Sequence, residues 1–365
     1  MKIGVFGHHP DLYPGFNALM SANFVYGFAR LGHDVTLLLP EVGVRSQHAR
    51  LAKLGKSVSD LDTFEAEAFD IRVIDPDTDL GRFDLVIWQS YFKEDEAFWP
   101  AIRKAARLVA KNTPRLLVGD PDRDARIFKG ITNRYDIVGL ALNSDFALAA
   151  ESFATSQPEA LKRCLYQPRG FRQDWLVPDD TFDGAPVFGI EKGVGASGDE
   201  YSYLAPVLEE LRRRHGTVDL IGARFDDPRL TTRRIGLLPA RQFYRQFLAP
   251  LWAYLMINVD HSRQSKNAFV INGRTVYPGL YENQVVEAQM AGAAVVGQAD
   301  ALPEELVAST MTGLRFDRYS QTDEIVEFLD QVIRNRPTVS ASAKAWARTH
   351  HSIDAMIAPL LAMAA

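Results

Sequence analysis

The chain has 365 residues, 47% of them hydrophobic and 24% charged, with a formal net charge of -5. That length exceeds the ~250–300 residues at which a single core stops growing, so two domains are expected, and the composition excludes a disordered chain. A weakly acidic protein lacks the basic surface that nucleic-acid binding requires, and one cysteine, Cys164, excludes an intramolecular disulfide and a zinc site built from several cysteines.

Short apolar runs alternate with helix-period segments through the first half. Ile3–Phe6 reads as a buried parallel strand, followed by a polar loop from His8 to Gly15. A helix is expected over Asn17–Leu31, stopped by Gly32 at the C′ position. Val35–Leu39, Ile71–Ile74 and Leu85–Trp88 follow as strands, then a helix over Glu96–Lys111 and a strand at Leu116–Val118. Val138–Leu142 is the next strand, with an Asn143-Ser144-Asp145 cap opening another helix. Such alternation implies crossover connections and a parallel sheet covered on both faces.

Pro168–Phe182, carrying prolines and charges, is the best linker candidate. Beyond it the rhythm restarts with the strand Pro186–Ile190, a glycine-rich loop from Lys192 to Gly198, and a helix over Tyr201–Arg214. The basic run Arg212-Arg213-Arg214 reads as a solvated helix end. Val218–Ile221 and Tyr254–Val259 are strands flanking a helix over Ala240–Leu248. After a long polar loop come a helix from Asn283 to Ala291, the strand Ala294–Gly297 and a helix over Asp323–Arg334. The expected division is residues 1–172 with the closing helix of about 350–365, and residues 173–349. Two doubly wound domains facing each other would form a cleft at the carboxyl ends of their strands, where ligands of such sheets bind. The longest apolar stretch near the middle, Phe247 to Val259, contains Pro250 and falls short of the ~20 residues of a membrane helix. Because Met1 runs straight into a strand, no signal peptide is expected, and the expected compartment is the cytoplasm, with peripheral membrane contact left open.

The segment from Tyr281 through Glu282, Asn283, Gln284 and Glu287 to Ala291-Gly292, leading into the strand Ala294–Gly297, resembles the donor-site signature of family 4 glycosyltransferases. Leu302-Pro303-Glu304-Glu305-Leu306, Thr312 to Phe316, and Trp346 to Leu361 are similar to the family's following loops and closing helices. Pro14-Gly15 and the helix ending at Leu31-Gly32 look like its opening unit. The resemblance implies a GT-B fold of two Rossmann-like domains and transfer of a sugar from a nucleoside-diphosphate donor, with retention and without a metal ion or other cofactor. The acceptor is left open among saccharides, lipid-linked saccharides and small molecules.

The donor side implied by the resemblance comprises Gly15, Gly193, Gly279, Leu280, Tyr281, Asn283, Gln284 and Glu287. A helix N-terminus offers N–H groups and partial positive charge to a diphosphate, and a glycine such as Gly279 lets the backbone approach it. A carboxylate at Glu287 can accept hydrogen bonds from both ribose hydroxyls; an exposed helix glutamate is the alternative. Lys192 is the candidate cation for the leaving diphosphate, against a solvated loop lysine. Asp120, in Asp120-Pro121-Asp122, could take the acceptor proton or simply serve a turn, and Glu282 is the third catalytic candidate. His8 and His9 are polar loop residues with a chance of acceptor contact.

The chain departs from the family pattern in four places, one being Asp120-Pro121-Asp122, where the family tends to have a histidine. Gly279 stands where the family has a glutamate, no arginine follows Phe188-Gly189, and His261–Pro278 is an extra stretch bearing Arg263, Lys266 and Arg274. Two alternatives stay in view: a nucleotide-sugar epimerase or hydrolase of the same fold, for which Asp120 with Glu282 is the candidate acid/base pair, and a non-catalytic sugar-nucleotide-binding subunit, which the missing glutamate and arginine motivate. A nicotinamide dehydrogenase is disfavoured, because the turn Gly7-His8-His9-Pro10-Asp11 lacks the glycine fingerprint.

Overall fold

The computed structural model describes residues 1–7, 16–41, 49, 52–53, 70–89, 97–102, 104–105, 107–111, 137–142, 164–166, 168–176, 184–190, 204–222, 229–230, 232–234, 240–256, 269–271, 274–276, 282–299, 302, 304–317 and 321–364. Its contacts divide the chain into two compact units. One comprises Met1–Phe171, Phe269–Arg274 and Ile353–Ala365; the other comprises Arg172–Ala268 and Thr275–Ser352.

In the first unit, strands β1 (Lys2–Phe6), β2 (Asp34–Pro40), β3 (Asp70–Ile74), β4 (Leu85–Gln89), β5 (Leu108–Lys111), β6 (Ile137–Leu142) and β7 (Cys164–Tyr166) form a sheet in the order β3-β2-β1-β4-β5-β6-β7. Every pairing is parallel. Order reverses between β1 and β4, the switch point of a doubly wound sheet. Helix α1 (Phe16–Arg30) buries Phe24 and Phe28. It ends in a Schellman motif: Gly32 takes φ +78°, the His33 N–H bonds the Phe28 carbonyl, and the Gly32 N–H bonds the Ala29 carbonyl.

One segment differs from expectation. Glu96–Lys111 reads as a single helix, but the described part holds only the short helix α2 (Trp99–Ile102) before β5. Leu108-Val109-Ala110 is a short apolar run that periodicity alone cannot assign, and pairing with β4 and β6 makes it a strand. The expected strand Leu116–Val118 and the helix after Asp145 lie outside the described residues.

The second unit repeats the plan. Strands β8 (Val187–Ile190), β9 (Asp219–Gly222), β10 (Thr232–Arg234), β11 (Ala253–Met256), β14 (Ala294–Gln298) and β15 (Gly313–Phe316) lie in the order β10-β9-β8-β11-β14-β15, all parallel. The extra stretch holds two short strands, β12 (Phe269–Ile271), which falls in the first unit, and β13 (Arg274–Val276). Helix α3 (Leu204–His215) buries Leu204, Val207, Leu208 and Leu211, one face at helical spacing. Its basic end is engaged rather than simply solvated. Arg213 and Arg214 both bond Glu210, whose carboxyl those hydrogen bonds hold down to about 2.

Helix α4 (Ala240–Phe243) runs into one π turn over Tyr244–Leu248, closed by the Ala249 N–H on the Tyr244 carbonyl at 2.9 Å. Helix α5 (Glu282–Met290) is followed by α6 (Thr322–Arg334), α7 (Arg336–His350) and α8 (Ile353–Ala364). Asp330 of α6, only 2% exposed, accepts from His215 Nε2 at 2.6 Å and pairs with Arg334 at 2.9 Å, tying α6 to α3. In the first unit α8 packs on α1, where Gly27 gives room for Ile353 and Ile357. Among the described residues, no helix is long and apolar enough to cross a membrane.

Candidate functional site

Parallel order sets where a ligand can approach the second unit. The sheet switches direction between β8 and β11, and the crossover from β11 to β14 carries α5. A crossover helix runs against its strands, so the N-terminus of α5 lies at their carboxyl edge, beside the switch point. Four amide N–H groups at that end have no partner within the helix.

Helix α5 is buried from Gln284 to Met290: Gln284, Val285, Val286, Glu287, Ala288, Gln289 and Met290 are all enclosed. Two of its buried polar side chains, Gln289 and Glu287, are held by specific bonds rather than by solvent. Gln289 donates to the Leu306 carbonyl at 2.6 Å, fixing the helix to the loop after β14. Glu287, 1% exposed, accepts a hydrogen bond at Oε1 from the Tyr244 hydroxyl at 2.7 Å. Glu287 thus lies on no solvated helix face.

The far end of α5 is a second Schellman motif. Gly292 takes φ +91°, the Ala293 N–H bonds the Ala288 carbonyl, and the Gly292 N–H bonds the Gln289 carbonyl. A Cβ there would strike Ser340 Oγ of α7, so glycine serves both the backbone and the packing. Arg336, at the start of α7 and 4% exposed, donates to the Gly292 carbonyl and, at 2.7 Å, to the Leu251 carbonyl.

Tyr244 is packed from the other side by the first residues of the unit. Trp175 meets its ring edge-on, with centroids 5.6 Å apart at 87°. The Arg172 guanidinium lies 4.9 Å from the Trp175 ring centre and bonds Asp174 through Nε at 2.9 Å and Nη2 at 2.6 Å. Burial pushes the Asp174 carboxyl up, but the hydrogen bonds and charge of Arg172 outweigh it and hold it below the usual carboxylate range. The stretch expected as a linker therefore contains buried side chains, Phe171 and Arg172 among them.

Of the residues singled out from sequence, Glu287 and Gln284 are both buried on α5. Glu282 and Asn283 form its first turn, and only their backbone is described. Gly15, Asp120, Lys192, Gly193, Gly279, Leu280 and Tyr281 lie outside the described residues, as do His8 and His9. Sequence reasoning passed over Tyr244, Trp175 and Arg172. Tyr244 sits in an apolar helical pattern that reads as core, and the other two fall in the expected linker; nothing local marks them as neighbours of Glu287.

No protein-family model and no curated protein matches the sequence. Solved structures do match it end to end. A glycosyltransferase from Rickettsia africae aligns over 100% of this chain and 97% of its own at 11% identity, with a TM-score of 0.56. HepE of Anabaena, solved with UDP, aligns over 99% and 100% at 15% identity and a TM-score of 0.58. A Listeria monocytogenes protein described as a UDP-N-acetylglucosamine 2-epimerase aligns over 99% and 95% at 11% identity and 0.56. At such identities the likeness speaks for the fold: two Rossmann-like domains of the GT-B type, as the sequence resemblance implies.

Proposed function

We propose that this protein is a glycosyltransferase that moves a sugar from a nucleoside-diphosphate sugar to an acceptor hydroxyl, with retention and without a metal ion. The observation that carries the reading is Glu287: a buried carboxylate that accepts a hydrogen bond from the Tyr244 hydroxyl, on a helix that opens at the carboxyl edge of a sheet beside its switch point. The end-to-end likeness to HepE, solved with UDP, supports a nucleotide ligand.

In this reading Glu287 receives the ribose hydroxyls, and the N–H groups of the first turn of α5 receive the diphosphate. Lys192, with Gly193 beside it, offsets the charge that builds as the anomeric C–O bond to the diphosphate breaks. Gly15, Gly279, Leu280 and Tyr281 line the donor, while Glu282, Asn283 and Gln284 address sugar hydroxyls or phosphate. Asp120 accepts the acceptor's proton or binds hydroxyls of the transferred sugar. Catalysis is then mainly positioning and electrostatic stabilisation. The first unit serves the acceptor, a saccharide, lipid-linked saccharide or small molecule.

A thermal-shift screen of UDP, GDP, TDP, ADP and CMP tests the reading. One nucleotide should raise the melting temperature of the wild type, and the shift should largely vanish in Glu287→Gln. If none produces a shift, the donor-site assignment is wrong. The Listeria neighbour favours a second reading, epimerisation of the sugar nucleotide. Conversion of UDP-N-acetylglucosamine to a new sugar nucleotide without any acceptor would establish that reaction instead.

A further inference from the structure

We infer that Tyr244 is a positioning residue of the nucleotide site: its buried hydroxyl orients the Glu287 carboxylate and so sets the affinity for a ribose diol. The inference rests on the role proposed above for Glu287 and adds a residue to it. A glutamate's last torsion is broad and roughly two-fold, so burial alone does not fix which way the oxygens face. Tyr244 fixes one of them at 2.7 Å, from a helix 43 positions away in sequence. A hydrogen bond onto a charged acceptor inside a protein is among the stronger ones, and it constrains direction as well as distance.

The backbone beneath Tyr244 is unusual in a way that fits this role. Tyr244 opens the π turn, which inserts an extra residue per turn and re-aims the side chains that follow; single π turns collect at functional sites. The turn is pressed onto the carboxyl ends of β8 and β9. A Cβ at Gly189 would lie 3.2 Å from Phe247 and 2.6 Å from Leu251. At Gly222, where φ is +120°, one would strike the Ile190 carbonyl and lie 3.2 Å from Phe247. Glycine at both strands lets the turn sit this low. On its other side the Tyr244 ring is backed by Trp175, which is itself braced by Arg172 and Asp174. A ring held on two sides, 0% exposed, delivers its hydroxyl to one place.

The test measures, by titration calorimetry, the binding of UDP, GDP and ADP and of their 2′,3′-dideoxy counterparts to the wild type, Tyr244→Phe, Glu287→Gln and the double variant. For the nucleotide that binds, Tyr244→Phe should weaken the ribose form about tenfold, the scale of one hydrogen bond to a charged group, and leave the 2′,3′-dideoxy form almost unchanged. In the Glu287→Gln background the same change should cost nothing further. Equal losses for ribose and dideoxy forms mean that Tyr244 is merely structural and overturn the inference. So does Tyr244→Phe with wild-type preference while Glu287→Gln loses it, and that outcome leaves the proposed function standing. No binding by the wild type removes the proposed function and the inference with it. Should Tyr244→Phe fail to fold, Trp175→Phe loosens the ring while keeping its hydroxyl; it should lower the ribose preference, and an unchanged preference overturns the inference.

Discussion

Arg336 offers a test of how α5 is held, because two of its bonds reach carbonyls from different parts of the second unit. Its guanidinium donates to the Gly292 carbonyl, just past the end of α5, and to the Leu251 carbonyl, just before β11. Arg336→Met keeps an apolar stem of similar reach and removes both donors. A hydrogen bond from a charged donor contributes about 1.5–3 kcal/mol, and both acceptors stay buried, so the variant should lose about 3–6 kcal/mol. For a unit of this size that corresponds to roughly 10 °C or more in melting temperature. Scanning calorimetry on the full chain reads it as a shift of the transition belonging to the second unit. Arg336→Lys keeps the charge but lacks the fork, and should forfeit about half as much. A loss below about 1 kcal/mol for Arg336→Met would refute the reasoning, since it would mean that the two carbonyls are satisfied without the arginine.

Gly292→Ala should destabilise the same unit by about 1–3 kcal/mol, from a left-handed backbone and a Cβ driven into Ser340, read by urea unfolding. Asp330→Ala leaves His215 and Arg334 without their shared carboxylate and should cost about 3 kcal/mol in the same assay; a neutral result would show the buried cluster to be energetically idle. Gly27→Val should destabilise the first unit, because even a Cβ would lie 2.6 Å from Ile353 and Ile357, and partial loss of α8 would show as increased amide exchange there. Asp174 has a folded-state pKa below its unfolded value, so its pair with Arg172 contributes stability above the unfolded value of about 3.9 that is lost as pH falls through the lower folded value. The stability difference between wild type and Asp174→Asn should accordingly shrink as pH falls from 6 to 3, and a constant difference would count against the pairing.

The sequence by itself determined the alternation of strands and helices. Ile3–Phe6, Val35–Leu39, Ile71–Ile74 and Ala294–Gly297 are short apolar runs bounded by turn residues, and each became a parallel strand within a residue or two of its expected ends. Gly32 and Gly292 end their helices as glycines at C′ do, because only local backbone sterics decide that. The family-like motif likewise made the helix beginning near Asn283 legible, with Glu287 on it.

What the tertiary structure decided is everything that depends on partners distant in the chain. Leu108–Lys111 is a strand because β4 and β6 offer it hydrogen bonds, not because of its own pattern. Arg336 is buried because two far carbonyls receive it, where sequence alone leaves an arginine solvated. The bond from Tyr244 to Glu287 spans 43 residues, and the brace of Trp175 and Arg172 behind it spans still more. No periodicity encodes such contacts: local pattern fixes which face of an element is buried, and only the packing of elements fixes what that face meets.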